Sequence, residues 1–302
     1  MLELLASNYA LNLLILICIY VILAVSLNLI VGFSGMLNLG HAAFFGIGAY
    51  ASALLALAGY PYWLCFVAAI FFAGLGGALV AYPSLKLRGD YLAIATLGFG
   101  EIARAVMKNW VSLTRGPLGL PGIPKISFFG LTLATKFDFF IFSLIIAAGV
   151  VFFVSMVVKS PFGRVLRAIR EDEIAAQAIG KNVKKYKVIT VIAGAACAGI
   201  AGSLFAHHIT FIDPTTFTLM ETVLIICMVV LGGVASIRGS IVGAAILVLL
   251  PEPLRFLGLP TSAAAALRVM IYAVVLILLM VYRPNGIFGE WRFKHAKSKK
   301  AL

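Results

Sequence analysis

Apolar runs long enough to cross a bilayer alternate along this chain with short polar or glycine-rich junctions. A spanning helix needs about 20 mostly apolar residues. Nine stretches come close to that, at roughly 9–31, 38–59, 62–82, 90–110, 137–158, 188–209, 218–236, 239–257 and 263–282. The first has no Lys or Arg before it and is too long for a signal-peptide core, so it reads as a retained helix. The weakest are 90–110, which carries Asp90, Glu101, Arg104 and Lys108, and 239–257, which Pro251-Glu252-Pro253 interrupts. The pattern predicts an all-α, polytopic transmembrane bundle of about nine spans with broken helices, one domain over residues 1–302.

Composition excludes the soluble alternatives. Of 302 residues, 63% are apolar and 12% charged, against about 45–50% and about 25% in soluble domains. A globular core of this length cannot hide such an excess. The net charge of +13 would suggest nucleic acid for a soluble protein, but in a bundle it reflects basic cytoplasmic loops in contact with membrane lipid, and no nucleic-acid partner is expected. Lys159, Arg164, Arg167, Arg170, Lys181, Lys184, Lys185 and Lys187 crowd into 159–187. Six more basic residues lie in the tail 283–302, and Lys86, Arg88 and Arg238 lie in two short junctions. With nine spans these segments share one side and collect 17 of the 24 Lys and Arg. The N-terminus is then outside and the C-terminus inside. Losing either weak span would break that agreement. Cys18, Cys65, Cys197 and Cys227 are dispersed within apolar runs and read as packing residues.

The segment 159–187 reads as a cytoplasmic handle. Ser160 and Pro161 form a helix start, and Gly180 offers a left-handed stop. Between them the spacing predicts one short amphipathic helix over about 162–179, with Glu171, Asp172 and Glu173 mid-helix. Val165, Ile169, Ala176 and Ile179 form its stripe. An acidic triplet is repelled by anionic lipid, so the mixed-charge face suits a protein groove better than a lipid surface.

Polar groups inside the apolar runs are the other candidates. The junction 31–41 is rich in glycine, carries no charge, and has Asn28, Ser34, Asn38 and His41 around it. A second glycine-rich junction runs over 231–240. Transport sites are often built where a helix is interrupted. Glu101 and Arg104 stand three apart and can pair. Arg268 lies in the last span, and Asp213 and Glu221 are expected at the outer interface. The connection 111–136 contains the run Gly116-Pro117-Leu118-Gly119-Leu120-Pro121-Gly122-Ile123-Pro124, which cannot stay helical; the connection is an ordered cap, a docking surface or a plain loop. His207-His208 lacks a third ligand at helical spacing, so no metal site is expected. No nucleophile–base set and no phosphate-binding loop occurs, so no catalytic residue is assigned and any ATP is hydrolysed by another chain.

Four segments carry a family resemblance. Asn28–Tyr50, with Gly32-Phe33-Ser34-Gly35 and Asn38-Leu39-Gly40-His41, resembles the first hairpin of the membrane subunits of branched-chain amino acid ABC importers. Leu87–Ile102 resembles their third-to-fourth connection, Arg164–Gly180 their ATPase-coupling loop, and Tyr282-Arg-Pro-Asn-Gly-Ile-Phe-Gly289 their C-terminal signature. The likeness is to the LivM-type permeases. It implies a bacterial inner-membrane importer in which this chain pairs with a LivH-like permease above two cytoplasmic ATPases, fed by a periplasmic amino-acid-binding protein. It implies ATPase coupling through Arg164, Arg167, Arg170, Glu171, Ala175, Ala176 and Gly180. Asn28, Ser34, Asn38, His41, Glu101 and Arg104 are then candidates for the translocation path, for Leu, Ile and Val or related amino acids. The alternatives are the sister branch that moves urea or short amides, and a self-sufficient secondary transporter needing no ATPase.

Overall fold

The computed structural model describes residues 2–84, 90–128, 131–132, 135–252, 267, 270, 273–274, 277 and 286–288. Each of the first eight predicted stretches contains a helix: α1 (Leu2–Asn28, continued as a π-turn over Leu29–Phe33), α2 (His41–Leu57), α3 (Tyr62–Ser84) and α4 (Asp90–Asn109). A short α5 (Val111–Thr114) follows, then α6 (Lys136–Lys159), α7 (Pro161–Glu171), α8 (Glu173–Ala178), α9 (Val183–Ile209), α10 (Leu219–Gly232) and α11 (Ile237–Leu249). Most of the stretch 263–282, Arg268 and nearly all of the tail 283–302 lie outside the described residues, as do Lys86 and Arg88. Among the described residues four helical runs are long and apolar enough to cross a bilayer, namely Asn8–Phe33, Tyr62–Pro83, Lys136–Lys159 and Val183–Ile209. The chain is a helical membrane protein.

The bundle is built around α1 and α9. Helix α9 packs against α2 and α3, and α1 against α6, α9, α10 and α11. Lipid tails are as apolar as leucine, so helices in a membrane associate through close approach of their backbones rather than through burial from water. Gly48 of α2 lies against the backbone of Gly199, and Gly202 against the carbonyl of Phe45. The four cysteines are buried free thiols.

At one end residues 116–124 of the connection after α4 form an ordered cap. Leu120–Pro121 pairs antiparallel with Phe211–Ile212, and the Ile123 amide donates to the Thr210 carbonyl at 3.2 Å. His207 donates from Nδ1 to the Pro124 carbonyl at 2.7 Å. Its Nε2 then accepts from Ser52 Oγ at 3.1 Å, so both ring nitrogens are engaged.

At the other end lies the arm formed by 159–187. The sequence predicts one helix there, but the chain breaks at Asp172, whose backbone is extended at φ −152°, ψ 107°. Its carboxylate accepts from the amides of Ile174 at 2.8 Å and Ala175 at 3.0 Å. Aspartate gains more by capping a new helix than by continuing an old one. Ile169 and Ala176 bury themselves against Val183, and the rings of Phe162 and Tyr186 stack at 4.9 Å. Lys187 and Glu173 form an ion pair at 2.7 Å. Ile179, expected in the buried stripe, is 70% exposed, because the break turns α8 and leaves its end outside the small core. Replacing Asp172 with alanine should cost about 1 kcal/mol of local stability. Hydrogen exchange should show faster amides over α8 with the spans unchanged.

Candidate functional site

Two helices begin inside the bundle instead of at its faces. The chain after Ser34 is non-helical over 35–40, and α2 starts at His41. His41 Nε2 lies 2.9 Å from Ser26 Oγ, two turns back from the end of the first span. Helix α10 starts at Leu219, and its Glu221 accepts a 2.7 Å hydrogen bond from the hydroxyl of Tyr20, at the middle of Asn8–Phe33. The outer-interface placement expected for Glu221 is therefore corrected: the approach to α10 is unwound, so its first turn begins at mid-depth. Asp213 stays in that approach, where its carboxylate accepts from the amide of Thr216 at 3.2 Å.

The two starts meet. Thr222 Oγ1 of α10 accepts from the amide of Ala42 at 3.0 Å. Neither the Gly40 start nor the Thr218 start is capped by its own side chain. Helix α4 closes the side: Thr96 Oγ1 accepts from the Leu39 amide at 3.0 Å, and Gly100 faces Gly40. A crevice lined by Gly40, Ala42, Gly100, Glu101, Phe217 and Thr222 opens between α2, α4 and α10.

At the arm end the π-turn is the meeting point. Arg170 donates to the carbonyl of Gly32, and the Arg167 guanidinium lies 5.8 Å from the centre of the Phe33 ring. Gly35 has φ +73°, and a side chain there would press on the stem of Arg170 at 3.1 Å. Burial draws the Arg170 pKa down while neighbouring Glu171 opposes the shift; an arginine stays charged through this. One turn above, Asn28 crosses to the second junction. Its Oδ1 accepts from the Ala235 amide at 2.9 Å, and its Nδ2 donates to the Ser236 carbonyl at 3.0 Å and to Ser240 Oγ at 2.7 Å.

The sequence-selected residues thus fall into distinct places. Arg164, Arg167, Glu171, Ala175 and Gly180 are exposed on the arm, Arg170 is half-buried on the π-turn, and Ala176 is buried in the arm's own core. Asn28 holds the 232–240 junction, and Ser34 donates back to the Ile30 carbonyl. Asn38 is buried, its Oδ1 accepting from the Gly40 amide at 2.9 Å. Its Nδ2 has no partner among the described residues. His41 is fully buried; Ser26 spends its proton on the Leu23 carbonyl, so His41 donates from Nε2 and leaves Nδ1 an acceptor with no partner among the described residues. Glu101 and Arg104 pair on the exposed side of α4, with side chains 46% and 37% exposed.

Sequence reasoning missed three features. Tyr20 as the partner of Glu221 carries no local signal across 201 positions. Ile174, 66% exposed, is an apolar knob on α8 that no helical stripe singled out. The amides of Ile287 and Phe288 donate at 2.9 Å to the carbonyls of Leu231 and Gly232, which the end of α10 leaves open. The Pro284-Asn285-Gly286 turn signal preceding them was the available clue.

A helical bundle with helices interrupted at mid-depth and a charged arm gripping one interruption has the architecture of a membrane permease. The chain belongs to the family described as the branched-chain amino acid transport system permease component, whose model matches residues 9–280. It is 35% identical to the high-affinity branched-chain amino acid transport system permease protein LivM of Escherichia coli, over 91% of this chain and 68% of that protein. It is 30% identical to the probable branched-chain amino acid transport permease protein LivM of Methanocaldococcus jannaschii, over 71% and 64%. To the LivH permease of Escherichia coli it is 28% identical, over 90% and 91%. No solved structure matches.

Proposed function

We propose that this chain is one permease of an ATP-driven importer of branched-chain or closely related amino acids in a bacterial inner membrane. It crosses about nine times, with the N-terminus outside and the arm and C-terminus inside. A homologous LivH-like permease completes the membrane unit. Two ATPase subunits bind beneath, hydrolyse the ATP and take up the arm, and a periplasmic binding protein delivers substrate. This chain itself binds no cofactor.

The observation that carries this reading is the division of the arm into two faces. Ile169 and Ala176 anchor it to α9, while Arg164, Arg167, Glu171, Ile174 and Ile179 remain uncovered. Large apolar side chains exposed between charges form the centre and rim of a docking site. The path runs past the crevice at α2, α4 and α10. Asn38 Nδ2 and His41 Nδ1 supply polar atoms without partners among the described residues, of the kind that water or a passing solute satisfies. Glu101 and Arg104 are costly against hydrocarbon, on the order of 2.5–3.5 kcal/mol per charge, so α4 faces water or the second permease.

Replacing Ile174 and Ile179 with aspartate tests the docking face. Purified complexes should retain both permeases and lose the ATPases at least about tenfold, as loss of interface anchors does elsewhere. Leucine uptake should fall with them, measured beside urea and a short amide. Full retention of the ATPases would reject the arm as the docking element.

A further inference from the structure

We infer that Asn28 is a positioning residue of the transport cycle, linking the coupling arm through the Gly32 π-turn to the junction between α10 and α11. The inference rests on the docking reading above and adds the route by which the arm's motion enters the membrane.

The route has two joints, and Gly32 belongs to both. On the arm side its carbonyl takes the Arg170 guanidinium. On the membrane side its Cα is packed so closely on Asn28 Oδ1 and the Ala235 amide that no Cβ fits. Asn28 spends both ends of its amide on Ala235, Ser236 and Ser240. The junction it holds has its own weak points. Gly233 has φ +117° and Ala235, which carries a Cβ, has φ +65°. A non-glycine residue held at positive φ is strained and depends on its surroundings. The Ala235 amide bonded to Asn28 belongs to that strained residue.

The π-turn supplies a two-state element. The bonds of a π-turn run five residues back, so the α-helical register is one residue away, and just past this one the Met36 amide donates to the Ile30 carbonyl, six residues back, at 3.3 Å. Release of the Gly32 carbonyl by a moving Arg170 lets the turn change register. Such a change rotates Asn28 relative to Ala235–Ser240. Helix α10 begins at mid-depth beside α2, so a shift at its far end reaches the crevice through a short rigid element. Arg170 alone is an arm residue, and Asn28 alone is a buried brace. The shared glycine makes them one mechanical unit.

The test is a mutant cycle in the reconstituted full complex, reading leucine transported per ATP hydrolysed alongside retention of the ATPases. Asn28→Ala and Arg170→Met should each lower transport per ATP at least about tenfold, the size of a coupling energy of this kind. The double variant should be no worse than the poorer single one. Arg170→Lys, which keeps a donor, should recover part of the loss. Ser240→Ala removes one of the three Asn28 bonds without disturbing the strained amide; it should cost a few-fold if Asn28→Ala proves too unstable to isolate. Losses that multiply in the double variant overturn the inference. So does a proportional fall of transport and hydrolysis, which marks a static brace. If Arg170→Met sheds the ATPases, Arg170 acts by docking and the route through Gly32 is rejected. The docking reading stands or falls separately, on the aspartate variants at Ile174 and Ile179.

Discussion

Replacing Gly32 with valine should abolish uptake and reduce the amount of folded permease in the membrane. A Cβ at this position meets Asn28 Oδ1 and stands 2.7 Å from the Ala235 amide and 2.8 Å from Asn28 Cγ. None of these can give way cheaply. The asparagine is held by three hydrogen bonds, and the amide belongs to backbone at the second junction. Pushing Asn28 aside strands several buried polar groups, each at a cost of about 1–3 kcal/mol. Together that is comparable with the whole stability reserve of about 5–15 kcal/mol. Even Gly32→Ala should be severely impaired. Gly149→Ala in α6 is the control: nothing lies within 4 Å of a Cβ there, and uptake and thermal stability should be unchanged or slightly better. Immunodetection in membranes and thermal unfolding in detergent read both variants. A Gly32→Ala protein with ordinary melting behaviour would show that the π-turn and the second junction are not in contact.

The second large effect is expected at the contact between α2 and α9. A Cβ on Gly48 would stand 2.6 Å from the Gly199 carbonyl oxygen, and one on Gly202 would stand 2.6 Å from the Ala49 amide. These are backbone atoms of facing helices, so relief requires the helices to separate. In lipid no hydrophobic gain draws them back together. Gly48→Val with Gly202→Val should therefore leave little assembled bundle, with about 1–3 kcal/mol lost at each site and more where the strain cannot be shared. The readout is protease accessibility of the arm and co-purification with the second permease. Wild-type behaviour of the double variant would mean that α2 and α9 are not in backbone contact.

Much of the architecture was legible in the apolar spacing. The helices over 62–84, 136–159 and 183–209 follow runs whose length alone demands them. Helix α4 forms despite Asp90, Glu101, Arg104 and Lys108, because Glu101 and Arg104 neutralise one another three residues apart. The arm's start at Ser160-Pro161 was equally readable, since capping is a local interaction. Its break at Asp172 is also local, but a charged residue amid other charges resembles a solvated helix face in the sequence. The site was less legible. Asn28, Asn38 and His41 stood out as polar groups in apolar surroundings, but nothing near them in the chain says which atoms remain open.

What the chain alone determined is the solvent each segment prefers: which stretches lie in lipid, where glycine permits an interruption, and which segment is too charged to enter. These follow from transfer free energies and backbone geometry, which neighbouring residues settle among themselves. The partners of the buried polar groups were decided only by the tertiary structure. Asn28 meets Ser236 and Ser240 across more than 200 positions, and Tyr20 meets Glu221 across 201. In a low-dielectric interior a polar atom must be satisfied by whatever the fold brings within about 3 Å. That pairing depends on how α1, α10 and the arm cross one another, a property no short stretch of sequence contains.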